Sequence, residues 1–356
     1  MLNNIHLIVG ARPNFVKCAV LYAKLKESGF KVKLIHTGQH YSKNMSDIFF
    51  NDLDIPREDI NLNVGSSTHA EQTGRIMIEY EKILFDDRPD LIMVFGDVNS
   101  TIATVLAGAK LHVKTAHIEA GLRSNDRTMP EEINRIATDV ICDYLFAPSI
   151  DGVENLRDQG IPDERIFLVG NIMIDTLTAH MDKIAGINIE DTYDVKKGEY
   201  VFLTLHRPSN VDNKDRLNDI VCFLNSIAAG RPIVFPAHPR TVKNLERFGL
   251  KEELSDNIRM IEPISYLSSI AMIRSAGAVI TDSGGIQEET TFLGVPCFTL
   301  RRNTERPVTV EEGTNMLIEP EKKHIDAIIS SRPKQCSIKY WDGNTSERII
   351  SIIKEL

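Results

Sequence analysis

The segment Thr281-Asp282-Ser283-Gly284-Gly285-Ile286-Gln287-Glu288-Glu289, directly after the apolar run Ala278-Val279-Ile280, has the residue types of a phosphate site. A strand that ends in Ser-Gly-Gly and runs straight into a helix leaves unpaired backbone N–H groups and the positive end of the helix dipole facing a ligand. The glycines allow close backbone approach, and Glu288 and Glu289, about one turn inside the helix, are placed to accept hydrogen bonds from sugar hydroxyls. That combination suits a nucleotide diphosphate. An ordinary Ser-Gly turn capping a helix has the same local sequence, so the rest of the chain has to decide between them.

Other groups able to do chemistry follow apolar runs in the same way. Arg12 and Lys17 flank the start of a helix after the run Ile5 to Val9, where their charges can offset a diphosphate; a solvated Arg and a surface Lys are the alternative. Asp97 follows Leu91 to Phe95 and serves either chemistry or helix capping, a task Asn99 or Ser100 can also perform. Glu119 follows Thr115 to Ile118, a place where a carboxylate is costly unless paired or used. Glu131 and Glu132 begin a helix after Pro130, and one of the two need only complement its dipole. His206-Arg207 follows Tyr200 to Leu205, and His238 lies in Pro236-Ala237-His238-Pro239-Arg240; each histidine is either a donor to a phosphate or a satisfied core residue. Gln39 and His40 follow the run Lys31 to Ile35. No Walker ending, three-glycine dinucleotide pattern, Cys-x-x-Cys pair or Gly-x-Ser-x-Gly elbow occurs, so the chemistry is assigned to carboxylates, histidine and an anion clamp, without a metal.

The elements that position these groups are short β-branched runs alternating with amphipathic stretches, which predicts parallel sheets covered by helices. The alternation runs from Ile5 to Ala147 and restarts at Tyr200, after Gly160-Ile161-Pro162 and Phe167 to Asn171. We therefore expect an α/β chain with domains at 1–169 and 170–340, a loop over Asp191 to Gly198, and a terminal helix at 341–356 packing back on the first domain. Two such domains in series bind ligand in the cleft between them, at the carboxyl ends of the strands. The 356 residues are 42% hydrophobic and 26% charged with a net charge of −9, which disfavours nucleic acid and anionic lipid as partners. No apolar run spans a bilayer, no signal core follows Met1-Leu2-Asn3-Asn4, and five scattered cysteines suit reduced core positions, so a cytoplasmic location is expected.

Taken together, Gly10-Ala11-Arg12-Pro13 with Lys17, Thr37-Gly38-Gln39-His40, Gly96-Asp97, the segment His117 to Arg123, Pro130 to Arg135, His206-Arg207, Thr281 to Glu289, and Thr304-Glu305-Arg306-Pro307 resemble the non-hydrolysing UDP-N-acetylglucosamine 2-epimerases along nearly the whole chain. The resemblance implies two Rossmann-like domains in a GT-B-type arrangement, no cofactor, and a homodimer. It further implies that Arg12, Ser283, Gly284, Gly285 and Arg306 hold the UDP portion and Glu289 the ribose hydroxyls, with Lys17, Asp97, Glu119, Glu131 and His206 around the sugar. Gln39, His40, Arg207 and His238 match positions that bind a second, activating UDP-sugar in some members. The usual His-Arg-Arg-Glu segment is here His206-Arg207-Pro208-Ser209.

The implied reaction is reversible C2 epimerisation of UDP-N-acetylglucosamine to UDP-N-acetylmannosamine through loss and return of UDP. On that reading Asp97, Glu119 and Glu131 supply acid/base groups to the two faces of C2. His206, Arg12 and the helix start at Ser283 then stabilise departing UDP. A hydrolysing 2-epimerase releasing N-acetylmannosamine and UDP, and an epimerase of a UDP-diacetamido sugar, are the alternatives, with a GT-B glycosyltransferase and a silent sugar-nucleotide sensor further off.

Overall fold

The computed structural model describes residues 2–39, 53, 55 and 57–356. They form two compact units: 2–180 with 339–356, and 181–338. In the first unit the strands are β1 (Asn4–Val9), β2 (Lys31–His36), β3 (Ile60–Asn61), β4 (Leu91–Phe95), β5 (Lys114–Ile118), β6 (Tyr144–Ala147) and β7 (Ile166–Leu168). They pair in parallel in the order β3-β2-β1-β4-β5-β6-β7. All five residues of β4 are buried, as a central parallel strand covered by helices on both faces requires.

The second unit repeats the plan with β8 (Val201–Leu203), β9 (Ile233–Pro236), β10 (Ile258–Ile261), β11 (Ala278–Thr281), β12 (Cys297–Thr299) and β13 (Asn315–Leu317). The order is β10-β9-β8-β11-β12-β13, again parallel throughout. Each sheet reverses its direction of growth once, between β1 and β4 and between β8 and β11. Open α/β sheets place ligands at such a reversal, outside the carboxyl ends of the strands. Both units are thus Rossmann-like α/β modules, the pair that defines the GT-B fold class.

One local expectation needs correction. The stretch 191–198 is not wholly loop, because its first residues complete a short helix, Ile189–Tyr193. Asn188 caps that helix by accepting a hydrogen bond from the Asp191 N–H at 3.1 Å, and Ile189 is buried. Among the described residues no helix is long and apolar enough to cross a membrane.

The terminal helix Thr345–Glu355 packs on the helices Arg12–Glu27 and Ile172–Ala179 of the first unit. Its own N-cap, Asn344, makes no side-chain cap bond. The buried carboxylate of Asp175 does that work from the neighbouring helix, accepting from Thr345 N at 3.0 Å and Ser346 N at 2.6 Å. Nearby, the Trp341 indole donates to Pro148 O at 3.0 Å. Replacing Asp175 by Ala strands two buried donors, each loss costing about 1–3 kcal/mol. We expect D175A to lower the unfolding free energy obtained from urea melts by an amount within that range or above it, at unchanged turnover per folded molecule; an unaltered midpoint would contradict this account.

Candidate active site

In the first unit, the turn after β1 is fixed by Asn14. Its Oδ1 accepts from Gly10 N at 3.1 Å and Ala11 N at 3.0 Å, and its Nδ2 donates to Phe95 O at 3.1 Å. That clamp joins the start of the helix Arg12–Glu27 to the end of β4 across the point of sheet reversal. One turn on, Lys17 is 7% exposed and its Nζ donates to Glu119 Oε2, itself on a residue 3% exposed. Glu119 has φ +71, the left-handed region that a non-glycine residue rarely adopts. Such strain persists where the surroundings over-determine it and is concentrated at functional sites. Gly96, at φ +63, leaves room for the pair: a Cβ there would stand 3.2 Å from Lys17 Nζ and 3.4 Å from Glu119 Oε2.

Asp97 does not cap the following helix, whose N-cap Val98 makes no side-chain bond. The Asp97 Oδ2 instead receives Arg135 Nη2 at 2.6 Å and Nε at 2.9 Å, and its carbonyl receives Asn134 Nδ2 at 2.9 Å. The helix start Asn99–Lys110 is capped from elsewhere: Gln39 Oε1 accepts from Ser100 N at 3.0 Å and Ser100 Oγ at 2.7 Å. Glu132 is the structural member of the acidic pair. It is 1% exposed, binds Arg135, and accepts from Ser124 N at 2.9 Å and Asn125 N at 3.0 Å. Glu131 is half-buried and makes no hydrogen bond or ion pair to the described residues, so its carboxylate is available to a ligand. Arg12 opens its helix, but its side chain lies outside the described residues, as does His40.

In the second unit the segment Thr281 to Glu289 forms the strand-to-helix turn that its sequence predicts. The helix Gly284–Leu293 starts at Ser283, which makes no side-chain cap bond, and Ser283 N donates to Thr281 Oγ1 at 3.0 Å. Ser283, Gly284 and Gly285 are partly exposed at that positive end. Arg306 lies against it, held by Glu288 at 2.9 Å and Glu305 at 2.5 Å. A Cβ on Gly284 would stand 2.5 Å from Arg306 Nη1, so the close approach requires glycine. Glu305 also receives Arg301 at 2.8 Å and faces Arg207 at 3.8 Å. Burial, and then the like charge of Arg301, lower the Arg207 pKa, with Glu305 opposing.

Neither His206 nor His238 is a core residue. The His206 side chain is 43% exposed, His238 is exposed, and their ring centroids are 6.0 Å apart. His238 Nδ1 accepts from Arg240 N at 3.1 Å, capping the helix Pro239–Phe248. His206 Nδ1 is 2.9 Å from Oδ1 of the buried Asp282. Asp282 further accepts from His206 N at 3.0 Å, Arg207 N at 2.8 Å and Asn210 Nδ2 at 3.3 Å. Burial opposes its charge, yet His206 and these donors hold its pKa below the usual value. The ionised carboxylate therefore accepts a hydrogen bond from Nδ1–H, and Nε2 of His206 makes no hydrogen bond to the described residues.

Asp282 carries the same sequence signal as Glu119, a carboxylate directly after an apolar strand, within a segment that also suits an ordinary turn. Nothing local in the sequence marks Arg135 and Glu305 as partners of Asp97 and Arg306.

Glu289 is buried beside Tyr266 and Glu288. Burial, supported by the charge of Glu288, raises its pKa to about 8 against opposition from Tyr266 and Arg306. The unfolded chain ionises near the ordinary glutamate value of 4.5 while the folded chain keeps its proton, so the stability tied to that proton is full at low pH and is lost as pH rises toward 8. We expect the stability of E289Q relative to the unsubstituted protein to rise between pH 5 and about 8 and then level off, as read from denaturant midpoints. A pH-independent difference would contradict the assignment.

Comparison with known proteins identifies the family. The sequence profile described as UDP-N-acetylglucosamine 2-epimerase matches residues 23–354. A UDP-N-acetylglucosamine 2-epimerase of Methanocaldococcus jannaschii is 44% identical over 358 residues, 98% of each chain. A UDP-2,3-diacetamido-2,3-dideoxy-D-glucuronate 2-epimerase of Pseudomonas aeruginosa is 41% identical, covering 98% of this chain and 99% of the relative. The crystal structure of the M. jannaschii UDP-GlcNAc 2-epimerase in complex with UDP-GlcNAc and UDP aligns at a TM-score of 0.91 and 41% identity, over 99% of this chain and 100% of that one. With a profile and relatives that run the length of the sequence, the chain belongs to the UDP-N-acetylglucosamine 2-epimerase family.

Proposed function

We propose that this enzyme interconverts UDP-N-acetylglucosamine and UDP-N-acetylmannosamine without releasing the free sugar. The observation that carries the reading is Glu119, a buried carboxylate held in a strained backbone against Lys17, beside the arginine-bound Asp97. The names of the relatives support the substrate class.

The C2 hydrogen is not next to a carbonyl, so a carboxylate alone removes it very slowly. Departure of UDP from C1 builds positive charge there and acidifies that hydrogen. The C1–O bond breaks with its electron pair going to UDP, a base takes the C2 proton, and the C–H pair forms the C1–C2 double bond of 2-acetamidoglucal. Protonation of C2 from the other face, with a UDP oxygen returning to C1, gives the epimer. Asp97, Glu119 and Glu131 supply the proton-transfer groups, each such group being worth roughly 10²- to 10⁴-fold in rate. Nε2 of His206, Arg12, Arg306 and the N–H groups of Gly284 and Gly285 stabilise the departing diphosphate. Glu289 receives the ribose hydroxyls. Gln39, His40, Arg207 and His238 are proposed for a second UDP-sugar, and the enzyme is expected to act in the cytoplasm as a homodimer.

The Pseudomonas relative favours one second reading, in which a diacetamido uronate replaces N-acetylglucosamine. Proton NMR of the enzyme with UDP-N-acetylglucosamine in D2O decides among these. UDP-N-acetylmannosamine with deuterium at C2 in both epimers is expected. Free N-acetylmannosamine with UDP would make the enzyme hydrolytic, and an unchanged spectrum, with exchange in the diacetamido sugar nucleotide instead, would transfer the assignment to that substrate.

The ion pair separates stability from chemistry. E119Q leaves Lys17 buried without its counter-charge, a loss worth about 3–5 kcal/mol, whereas replacing both charges by neutral groups is often nearly neutral. K17M/E119Q should therefore regain most of the stability that E119Q loses while turnover stays at least about 10²-fold down. A double variant with near-full turnover would remove Glu119 from the mechanism.

A further inference from the structure

Two fully buried ionisable side chains in the first unit take no part in the steps above. His117 lies on β5 and Asp139 on the helix Pro130–Ile141, both 0% exposed. His117 Nε2 is 2.8 Å from Gly96 O, and Nδ1 is 2.6 Å from Asp139 Oδ1. A carbonyl oxygen only accepts, so Nε2 carries a proton. The other oxygen of Asp139 accepts from Gly121 N at 3.1 Å and Arg123 Nη2 at 2.6 Å, donors that favour the ionised carboxylate. Nδ1 then carries a proton too, and the ring is an imidazolium spanning two acceptors.

This chain of hydrogen bonds has a definite course. It begins at the peptide joining Gly96 to Asp97, passes through His117 and Asp139, and ends at Gly121, two residues after Glu119. Gly121 has no slack: at φ +83, a Cβ on it would stand 2.1 Å from Gly152 O. The turn after β4 and the turn after β5, which carry Asp97 and Glu119, are therefore braced against one helix rather than held only by strand pairing.

We infer that His117 and Asp139 are positioning residues for the epimerisation, fixing the turn of Asp97 relative to the turn of Glu119. The inference rests on the epimerase reading, because inversion at C2 needs proton-transfer groups placed on both faces of one carbon. A misplacement of about 1 Å in such a group costs about 10²-fold in rate.

The imidazole can be divided by substitution. His117→Gln puts an amide N–H near the position of Nε2 and keeps the donor to Gly96 while losing the link to Asp139; His117→Asn keeps the link to Asp139 and loses the donor to Gly96. We expect H117N to lose about 10²-fold in kcat, with KM and UDP affinity within about 3-fold, and to release 2-acetamidoglucal and UDP as the return step fails. H117Q should recover part of the kcat. A role in stability alone would lower the thermal midpoint and leave kcat, KM and the absence of glucal release unchanged in the folded protein, which would overturn the inference. Nitrogen NMR of the histidine-labelled unsubstituted protein gives a test that no variant's folding can obscure: both His117 nitrogens should carry protons, and one bare nitrogen would overturn the brace. If the unsubstituted protein fails to exchange C2 hydrogen in any UDP-sugar, the epimerase reading falls, whereas the NMR result for His117 stands apart from it.

Discussion

A lysine and a glutamate with almost no access to water set the terms for the first unit. Taking either charge out of water alone costs several kcal/mol, so the pair survives only with close geometry and satisfied surroundings. Lys17 reaches Glu119 because Asn14 fixes the turn before its helix against the end of β4. Glu119 meets it only with φ at +71, a conformation costing roughly 1–2 kcal/mol for a residue with a Cβ. Gly96 is tied to the same demand, since its missing side chain leaves the space the pair occupies. One interaction thus fixes residue types in the helix Arg12–Glu27 and in the turns after β4 and β5, and what it yields is a carboxylate held at the reversal point of the sheet.

The second unit solves the opposite problem, a site prepared for negative charge. Its cations are not loose. Arg306 and Arg301 lean on Glu305, Arg306 also on Glu288, and Arg207 is steered by its Nε bond to Asp282 O at 2.8 Å. Holding guanidinium groups with carboxylates lowers the entropy that any anion bound there would cost and keeps the cations from repelling one another out of place. The same Asp282 orients the ring of His206 through Nδ1, coupling the turn after β11 to the histidine after β8. These strands are hydrogen-bonded neighbours, and their adjacency makes the coupling possible.

The sequence made strand ends legible because a parallel strand buried on both faces is a run of apolar residues, and the polar residue that follows one is conspicuous. Leu91 to Phe95 and Ala278 to Ile280 were visible on that ground, and so were Asp97, Glu119 and Ser283. The two-residue β3 carries too short a signal. Partners set by tertiary structure were not legible. Asp139 is 22 residues from His117 and Arg135 is 38 from Asp97, and each reads as a charge on an amphipathic helix. The left-handed backbone at Glu119 left no mark either, since only glycine, asparagine or aspartate advertises that conformation. Gln39 shows the converse: a motif residue whose side-chain oxygen also caps a helix, a task its motif does not announce.

The route of the chain gives the anchoring of the last helix another meaning. The first unit is completed only by residues 339–356, which come after the whole of 181–338. During synthesis the ribosome must therefore deliver the entire second unit before Thr345 and Ser346 can reach the carboxylate of Asp175. Domains generally fold as units while the chain emerges. Here the earlier module is completed after the later one, and until residues 345–355 emerge the faces of the helices Arg12–Glu27 and Ile172–Ala179 that receive the helix Thr345–Glu355 stay uncovered. A chain truncated before residue 345 would lose about one helix in length but would leave its earliest-made module permanently unsealed, a natural target for chaperones and proteases.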